Sequence, residues 1–305
     1  MRDKAILANS FPSFTIGKIR SYFTLTKPRL LSSVIFSAVL GYILPLNGNL
    51  GVYSLLYLIL GTALLGGGAN ALNQWQEQVP DSKMNRTSNR PIPKGTVSSG
   101  EALVFGVTIS FIGILTLWIG LNILTSIIGI VTLLSYTLIY TPLKQKTIAN
   151  TWFGGITGAL PPVIGWVASR GQLDIEVLPI FTLLYFWQLP HFFAIAWIYR
   201  EDYERGGFRM ISVDDHSGKK TGLQMLINGS MLFFSSIGIF IIDQGKQLYL
   251  AGSSILGVLF LCLIILFCFS RSTKNAHNVF LASIVYLPVL GTIIIFERFF
   301  IDFSF

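Results

Sequence analysis

Charged side chains are scarce in this sequence. Asp, Glu, Lys and Arg together make up 12% of the 305 residues, about half of the share found in soluble proteins. Hydrophobic residues make up 52%, and the mean hydropathy is +0.64. This balance excludes a disordered chain and argues strongly against an ordinary soluble domain.

Cysteines and the common nucleotide or zinc motifs are also largely missing. The two cysteines, Cys262 and Cys268, lie in one uncharged stretch, and their spacing directs them to different faces of a helix. Neither a disulfide framework nor a cysteine metal site is therefore indicated. The sequence contains no P-loop, no Rossmann glycine pattern and no serine-nucleophile elbow.

The stretches without charge are long enough to cross a membrane. A helix needs about 20 apolar residues to span a bilayer; residues 30–76 and 102–143 each have room for two such helices, and five further stretches have room for one. The sequence therefore predicts an all-α membrane protein, a single domain over 30–300 after an N-terminal arm, 1–29. The nine predicted transmembrane helices are 30–46, 52–72, 103–119, 121–140, 151–168, 177–198, 225–242, 249–269 and 277–296.

The basic residues fall almost entirely on one side of such a bundle. All but Arg170, Lys246 and Arg298 of the 22 lysines and arginines lie in the arm or in connections on its side. Because lysine and arginine are enriched in cytoplasmic loops, we expect a cytoplasmic N-terminus and cytoplasmic loops 73–101 and 199–224. Topology thus explains the net charge of +8, and no nucleic-acid partner is expected.

An amide and two carboxylates follow the second predicted span at helical spacing. Asn73, Glu77 and Asp81 are four residues apart, which places them on one helical face. Oxygen ligands of this kind suit Mg²⁺, which usually keeps few protein ligands and shares the rest with phosphate oxygens. The alternative is a solvated loop with alternating charge. Pro80 also interrupts helical hydrogen bonding and can place Asp81 beyond a kink or a helix end.

Basic side chains that suit phosphate oxygens come next along the chain. They are Lys83, Arg86 and Arg90. Loop 199–224 has a weaker version of the same pattern, in which Glu201, Asp202 and Glu204 are surrounded by Arg200, Arg205 and Arg209. We predict that Asp202 contributes to a second metal–diphosphate arm facing the first, and a solvated loop is again the alternative.

Two aromatic segments lie at or inside the spans. Trp187 and His191 share a helical face, and the polar Gln188 and His191 are costly within a membrane. They predict either the lining for a flat aromatic substrate, with a histidine that ligates iron or moves a proton, or an interfacial aromatic belt. In Tyr140-Thr141-Pro142-Leu143-Lys144, Lys144 is either a phosphate ligand or a cytoplasmic anchor.

Together these motifs resemble the UbiA-type intramembrane prenyltransferases, from Thr26 to about Asp215. The most specific stretches are Asn73-Gln74-Trp75-x-Glu77-x3-Asp81-x2-Met84-x-Arg86-Thr87-x2-Arg90-Pro91, Tyr140-Thr141-Pro142-Leu143-Lys144, Gly158-Ala159-Leu160-Pro161-Pro162-x-Ile164-Gly165-Trp166, Trp187-Gln188-x-Pro190-His191-Phe192 and Asp202-Tyr203-x2-Gly206. The Trp-Gln-x-Pro-His-Phe stretch is similar to the heme-modifying branch of the family.

The chain also departs from the family pattern. The first motif of the family usually has Asp where Glu77 stands, and the second often has a further Asp where this chain has Gly206. Whether Glu201, Asp214 or Asp215 completes the second motif is left open by the sequence.

The resemblance implies transfer of a farnesyl group from farnesyl diphosphate to a vinyl group of heme b, which gives heme o for terminal oxidase assembly. Mg²⁺ is the implied cofactor and heme b is a substrate. The implied catalytic residues are the metal ligands Asn73, Glu77, Asp81 and Asp202, together with Tyr140. The implied substrate-binding residues are Lys83, Arg86, Arg90, Lys144, Trp187, His191 and Arg205.

The same resemblance places the chain in a bilayer, in the bacterial inner (cytoplasmic) membrane rather than the mitochondrial inner membrane. Heme-handling or oxidase-assembly proteins are the protein partners that it suggests. Two alternatives differ in chemistry: prenylation of an aromatic or quinone precursor, and secondary transport. Transport is disfavoured because its ionisable groups usually lie at the membrane midplane, whereas the carboxylates here lie at span ends.

Overall fold

The computed structural model describes residues 11–46, 50–242 and 246–301, and within these ranges it contains helices and irregular segments but no strand. The helices are α1 Phe11–Leu25, α2 Pro28–Ile43, α3 Val52–Gln76, α4 Gln78–Lys83, α5 Ser99–Gly120, α6 Ile123–Leu134, α7 Thr141–Leu143, α8 Asn150–Gly158, α9 Leu160–Arg170, α10 Leu178–Ile198, α11 Arg200–Arg205, α12 Ile211–Asp214, α13 Lys219–Ile242, α14 Gln247–Ser270 and α15 Thr273–Phe296. π-helical segments join α6 to α7 and extend α15, and a short 3-10 turn precedes α10.

Seven helices in the described part of the chain are long and apolar enough to cross a membrane. They are Val52–Gln76, Ser99–Gly120, Ile123–Leu143, Ile175–Ile198, Lys219–Phe240, Gln247–Ser270 and Thr273–Phe300. The pair α1 and α2, bent by 49°, makes an eighth if it forms one span. The all-α membrane fold is confirmed, whereas the count of nine spans and the side of the N-terminus stay predictions.

The predicted span 151–168 is broken into two short helices, α8 and α9. The chain turns at Ala159, and Pro161 and Pro162 follow in the first turn of α9, where a missing N–H group costs little hydrogen bonding. Helix α9 lies inside the bundle, since its residues 161–167 are all buried.

Helix α9 packs backbone to backbone against α2 through two glycines. A Cβ atom on Gly165 would lie 1.8 Å from the carbonyl oxygen of Ala38, and one on Gly41 would lie 1.9 Å from that of Pro162. Side-chain atoms cannot fit at these distances, so only glycine allows the two helices to approach so closely. Such small-residue contacts are a main source of helix association in membranes, where packing replaces the hydrophobic effect.

The N-terminal arm contains a helix that the sequence analysis did not predict. Helix α1 ends at a turn in which Lys27 adopts left-handed backbone angles, with φ of 51° and ψ of 64°. Two amides of α3 hold this turn: Gln74 donates to the carbonyl of Leu25 at 2.9 Å, and Asn70 donates to that of Thr26 at 3.0 Å. The arm is therefore anchored to the bundle next to the predicted acidic motif.

The two long polar connections are folded and touch one another. Helix α3 extends four residues beyond its predicted end, and the short helices α4 and α11 follow in the two connections. The carboxylate of Asp202 accepts hydrogen bonds from the backbone N–H groups of Asn85 and Arg86, both at 3.2 Å. The two motifs that the sequence analysis placed on one side of the bundle thus meet there.

We expect Gly165→Ala to destabilise the protein, because the new methyl group would force α9 away from α2. Overpacking of this kind costs about 1–3 kcal/mol, which should lower the midpoint of thermal unfolding in detergent by several degrees.

Gly100→Ala is the matched control, because nothing lies within 4 Å of a Cβ atom there and alanine favours helix. Equal midpoints for the two variants would contradict the close α2–α9 contact.

Candidate functional site

A cavity of about 650 Å³ opens inside the bundle and is lined mainly by apolar side chains. Its lining includes the polar and aromatic side chains of Lys27, Asn70, Tyr136, Tyr140, Lys144, Trp187, Gln188 and His191, beside several serines, threonines and phenylalanines. Lys27 and Lys144 lie at the end of the cavity next to the long connections, since both contact residues at the start of loop 73–101. The cavity therefore combines a charged end with aromatic and apolar walls.

The three oxygen-bearing residues of the first motif lie on successive turns at this charged end. The backbone N–H of Glu77 donates to Asn73 at 2.9 Å, and that of Asp81 donates to Glu77 at 2.8 Å. The helix is interrupted at Glu77, where α3 ends and α4 begins, yet the spacing of four is kept. Asn73, Glu77 and Asp81 are all buried.

Each of these three side chains has a basic partner, from another segment for Asn73 and Glu77 and from the same connection for Asp81. The partners are Lys27 Nζ to Asn73 Oδ1 at 2.6 Å, Lys144 Nζ to Glu77 Oε1 at 2.7 Å and Arg90 Nη1 to Asp81 Oδ2 at 2.6 Å. Lys27 comes from the bend between α1 and α2, and Lys144 from the end of α7. Acids for a metal and bases for phosphate oxygens are thus interleaved in one cluster.

The surroundings shift the pKa values of Glu77 and Asp81 in opposite directions. Burial acts to raise the pKa of Glu77, but the charges of Lys144 and Lys27 outweigh it and lower the pKa below its usual value. Burial likewise acts to lower the pKa of Lys144, and Glu77 outweighs it, so this pKa is raised. At Asp81 burial wins over Arg90, and the pKa is raised. Asp81 is therefore the carboxylate that is less fully compensated.

Asp81 also has a carboxylate oxygen that is available to a cation. Its Oδ1 atom is buried and has no hydrogen-bond partner, which is costly for a carboxylate. Among the described residues, no three His, Cys, Asp or Glu side chains are arranged to hold a metal by themselves. Mg²⁺ is usually bound by one or two carboxylates together with substrate phosphates, and this donor set fits an ion of that kind.

Asp202 reaches the first motif but is not part of the cavity lining. Its carboxylate pairs with Arg205 in α11 and accepts the two backbone hydrogen bonds from Asn85 and Arg86. Burial acts to raise its pKa, but these donors outweigh it and lower the pKa. Asp202 and Arg205 line a separate polar cavity of about 250 Å³ between the connections.

Two predicted phosphate ligands lie apart from the acidic cluster. Lys83 is exposed. Arg86 is exposed as well, and its guanidinium group lies over the rings of Tyr199 and Tyr203, at 4.8 and 5.5 Å from their centroids. The structure thus places Arg90 with Asp81, Lys144 with Glu77 and Arg205 with Asp202. The side chains of Lys83 and Arg86 lie apart from these pairs.

The acids that the sequence left open for the second motif do not join Asp202. Asp215 accepts hydrogen bonds from the backbone N–H and the hydroxyl of Thr221, at 2.8 and 3.0 Å, and so caps the start of α13. Glu201 and Asp214 are exposed.

The aromatic wall is formed by α10 and by the π-helical segment Ser135–Tyr140. The ring of Tyr140 lies 4.6 Å from Lys144 Nζ, and a Cβ atom on Gly154 would come within 2.5 Å of this ring. Trp187 and His191 are stacked, with centroids 5.7 Å apart. Both rings are tied to Ser283 of α15, Trp187 by Nε1 to its carbonyl at 2.8 Å and His191 by Nδ1 to its hydroxyl at 2.7 Å.

Two residues of the site were given no role by the sequence analysis, and a third was given no partner. Lys27 is one, although Pro28 at the start of a helix was a visible sign of a turn there. Thr141 accepts a hydrogen bond from Asn73 Nδ2 at 3.2 Å. Gln188 donates to the carbonyl of Gly155 at 2.8 Å and so joins α10 to α8; its burial was noticed, but its partner could not be read from sequence.

Comparison with known proteins agrees with this architecture. A family model described as the UbiA prenyltransferase family matches residues 34–286. The chain is 39% identical to a protoheme IX farnesyltransferase of Solibacter usitatus over 92% of this chain and 99% of the relative. It is 37% identical to a protein of the same name from Opitutus terrae, over 94% and 97% of the two chains.

Solved structures share the fold at low sequence identity. A digeranylgeranylglyceryl phosphate synthase has a TM-score of 0.76 at 17% identity, over 92% of this chain and 98% of the other. A UbiA homologue from Aeropyrum pernix has a TM-score of 0.71 at 17% identity, over 88% and 98%. A UbiA homologue from Archaeoglobus fulgidus bound to GPP and Mg²⁺ has a TM-score of 0.67 at 12% identity, over 90% and 99%. The chain belongs to the UbiA prenyltransferase family.

Proposed function

We propose that this membrane protein transfers the farnesyl group of farnesyl diphosphate to a vinyl group of heme b and so forms heme o, in a reaction that depends on Mg²⁺. The observation that carries the proposal is the buried cluster of Asp81, Arg90, Glu77 and Lys144 at one end of an aromatic cavity. The names of the bacterial relatives, protoheme IX farnesyltransferase, support heme as the acceptor.

The charged end suits a diphosphate. Asn73, Glu77 and Asp81 would hold the metal, with Asp202 as a fourth ligand from the facing connection. When bound, Mg²⁺ withdraws charge from the diphosphate and so improves it as a leaving group. Arg90 and Lys144 lie beside these acids and would donate to phosphate oxygens, which compensates the charge that develops as the C–O bond breaks.

The walls suit the hydrocarbon part of the reaction. Loss of diphosphate leaves an allylic cation, which the faces of Tyr140 and Trp187 would stabilise by cation–π attraction. The apolar lining limits capture of the cation by water. The vinyl group then supplies two electrons to form the new carbon–carbon bond, and water adds to the remaining cationic carbon with loss of a proton, which leaves a hydroxyl group.

Location and partners follow from the same proposal. Both substrates combine a large apolar part with an anionic head, and we infer that they enter from the lipid with their heads at the face of the two long connections. We place the protein in the bacterial inner membrane, where heme-handling and oxidase-assembly proteins would be its partners; the bacterial origin of the relatives supports this assignment.

Membranes that contain the protein should form heme o from heme b and farnesyl diphosphate when Mg²⁺ is present. A chelator should abolish the product, and added Mg²⁺ should restore it, as followed by mass spectrometry. Aromatic acids and quinone precursors supplied in place of heme b test the acceptor. Prenylation of those compounds, together with no heme o when heme b is supplied, would overturn the proposal.

Asp81→Asn should reduce turnover by at least about 100-fold, because the amide removes the charge that holds the cation, while leaving the amount of inserted protein unchanged. Asp215→Asn makes the same chemical change at the cap of α13, outside the cavity, and should keep most activity. Similar activity of Asp81→Asn and the unchanged protein would remove Asp81 from the metal site.

Lys144→Met should lower both activity and stability, because it leaves Glu77 buried without its nearest partner. Breaking a buried pair in this way costs about 3 kcal/mol. The double variant Glu77→Gln with Lys144→Met should recover most of the thermal stability but not the turnover. Recovery of turnover in the double variant would show that the pair is only structural.

A further inference from the structure

The histidine of the cavity has one ring nitrogen bound and the other free. His191 Nδ1 lies 2.7 Å from the hydroxyl oxygen of Ser283. No other hydrogen bond to the His191 ring occurs among the described residues, and the histidine lines the main cavity. Its Nε2 is also not among the buried polar atoms that lack a partner, so this atom has access to open space.

The hydrogen bonds of Ser283 decide which nitrogen of His191 bears the proton. The Ser283 hydroxyl is fully buried and lies 2.6 Å from the carbonyl oxygen of Phe280, to which it donates. A hydroxyl has one proton and two acceptor lone pairs. Because its proton is directed to Phe280, Ser283 accepts from His191, and the neutral imidazole carries hydrogen on Nδ1 and a lone pair on Nε2.

Neighbouring aromatic side chains hold the orientation of the ring. Trp187 is stacked on the ring of His191 at 5.7 Å, and Phe280 lies near it at 5.0 Å. Trp187 is in turn bound through Nε1 to the carbonyl of Ser283 at 2.8 Å. A fixed imidazole that donates through one nitrogen and offers the other is the usual arrangement of a metal-ligating histidine.

We propose that His191 binds the iron of the heme substrate as an axial ligand through Nε2, and that Ser283 is a positioning residue that fixes the tautomer. This inference rests on the proposed function, since it takes heme b as the acceptor. Ligation would hold the porphyrin against the aromatic wall of the cavity, with a vinyl group facing the charged end of the cavity. His191 would therefore select an iron porphyrin over other flat aromatic acceptors.

The chain allows a direct test because it has only three histidines. The purified protein in detergent is mixed with heme b in the absence of farnesyl diphosphate, and the iron–histidine stretching band of the reduced complex is recorded by resonance Raman spectroscopy. We expect the band in the unchanged protein and in two control variants, His216→Ala and His277→Ala, whose histidines are exposed.

His191→Gly should abolish the band and weaken heme binding by at least about tenfold, and added imidazole should restore the band by occupying the vacated space. Ser283→Ala should keep the band but move it to lower frequency, because loss of the hydrogen bond makes the imidazole a weaker donor. If His191→Gly fails to fold, a lower band frequency in Ser283→Ala identifies His191 as the iron ligand, because Ser283 contacts the ring of His191.

The ligation is overturned if the unchanged protein lacks the band, if His191→Gly retains it, or if either control variant removes it. An unchanged frequency in Ser283→Ala overturns the positioning role. The two proposals fail separately: heme o formed without histidine ligation refutes only this inference, whereas histidine-ligated heme that is never prenylated refutes only the proposed function.

Discussion

The architecture of the site depends on keeping ionised side chains inside an apolar bundle. An isolated buried charge is very costly, and the protein compensates Glu77 with Lys144 and Asp81 with Arg90. The pair of Glu77 and Lys144 joins the long connection to the end of α7, whereas Arg90 lies in the same connection as Asp81. Asp81 keeps one oxygen without a partner, which leaves the cluster able to accept a cation.

Close helix packing shapes the cavity beside that cluster. Glycines allow α9 to lie against the backbone of α2, and a Cβ atom on Gly158 would come within 2.1 Å of the Gln188 side chain. Because the chain is broken at Ala159, α8 and α9 lie in different places. Helix α9 fills the interior of the bundle, whereas α8 leaves space for the side chains of Tyr140 and Gln188. The space for the substrates is therefore bordered by glycines, which have no side chain, on one side and by fixed aromatic rings on the other.

The helix boundaries were predicted within a few residues for most spans, because charge-free stretches and positive flanks are local properties of a membrane sequence. Helix α1 was missed, since the arm is short, carries charges and is held by contacts of Asn70 and Gln74 with its carbonyl groups. Asn73, Glu77 and Asp81 were correctly placed on successive turns because helical periodicity is local. Arg86 and Asp202 were predicted as site residues from their residue types. The contact between them joins two separate loops, so it could not be predicted from sequence spacing.

The sequence by itself determined the membrane class, the helical content, the clustering of polar chemistry in two connections and the membership of a prenyltransferase family. These properties depend on composition, hydrophobic length and short motifs. Only the tertiary structure decided that Lys27 pairs with Asn73, that Asp202 binds the backbone of the facing loop, and that the hydroxyl of Ser283 contacts the ring of His191. Such contacts join residues separated by dozens to more than a hundred positions, and geometry rather than pattern selects them.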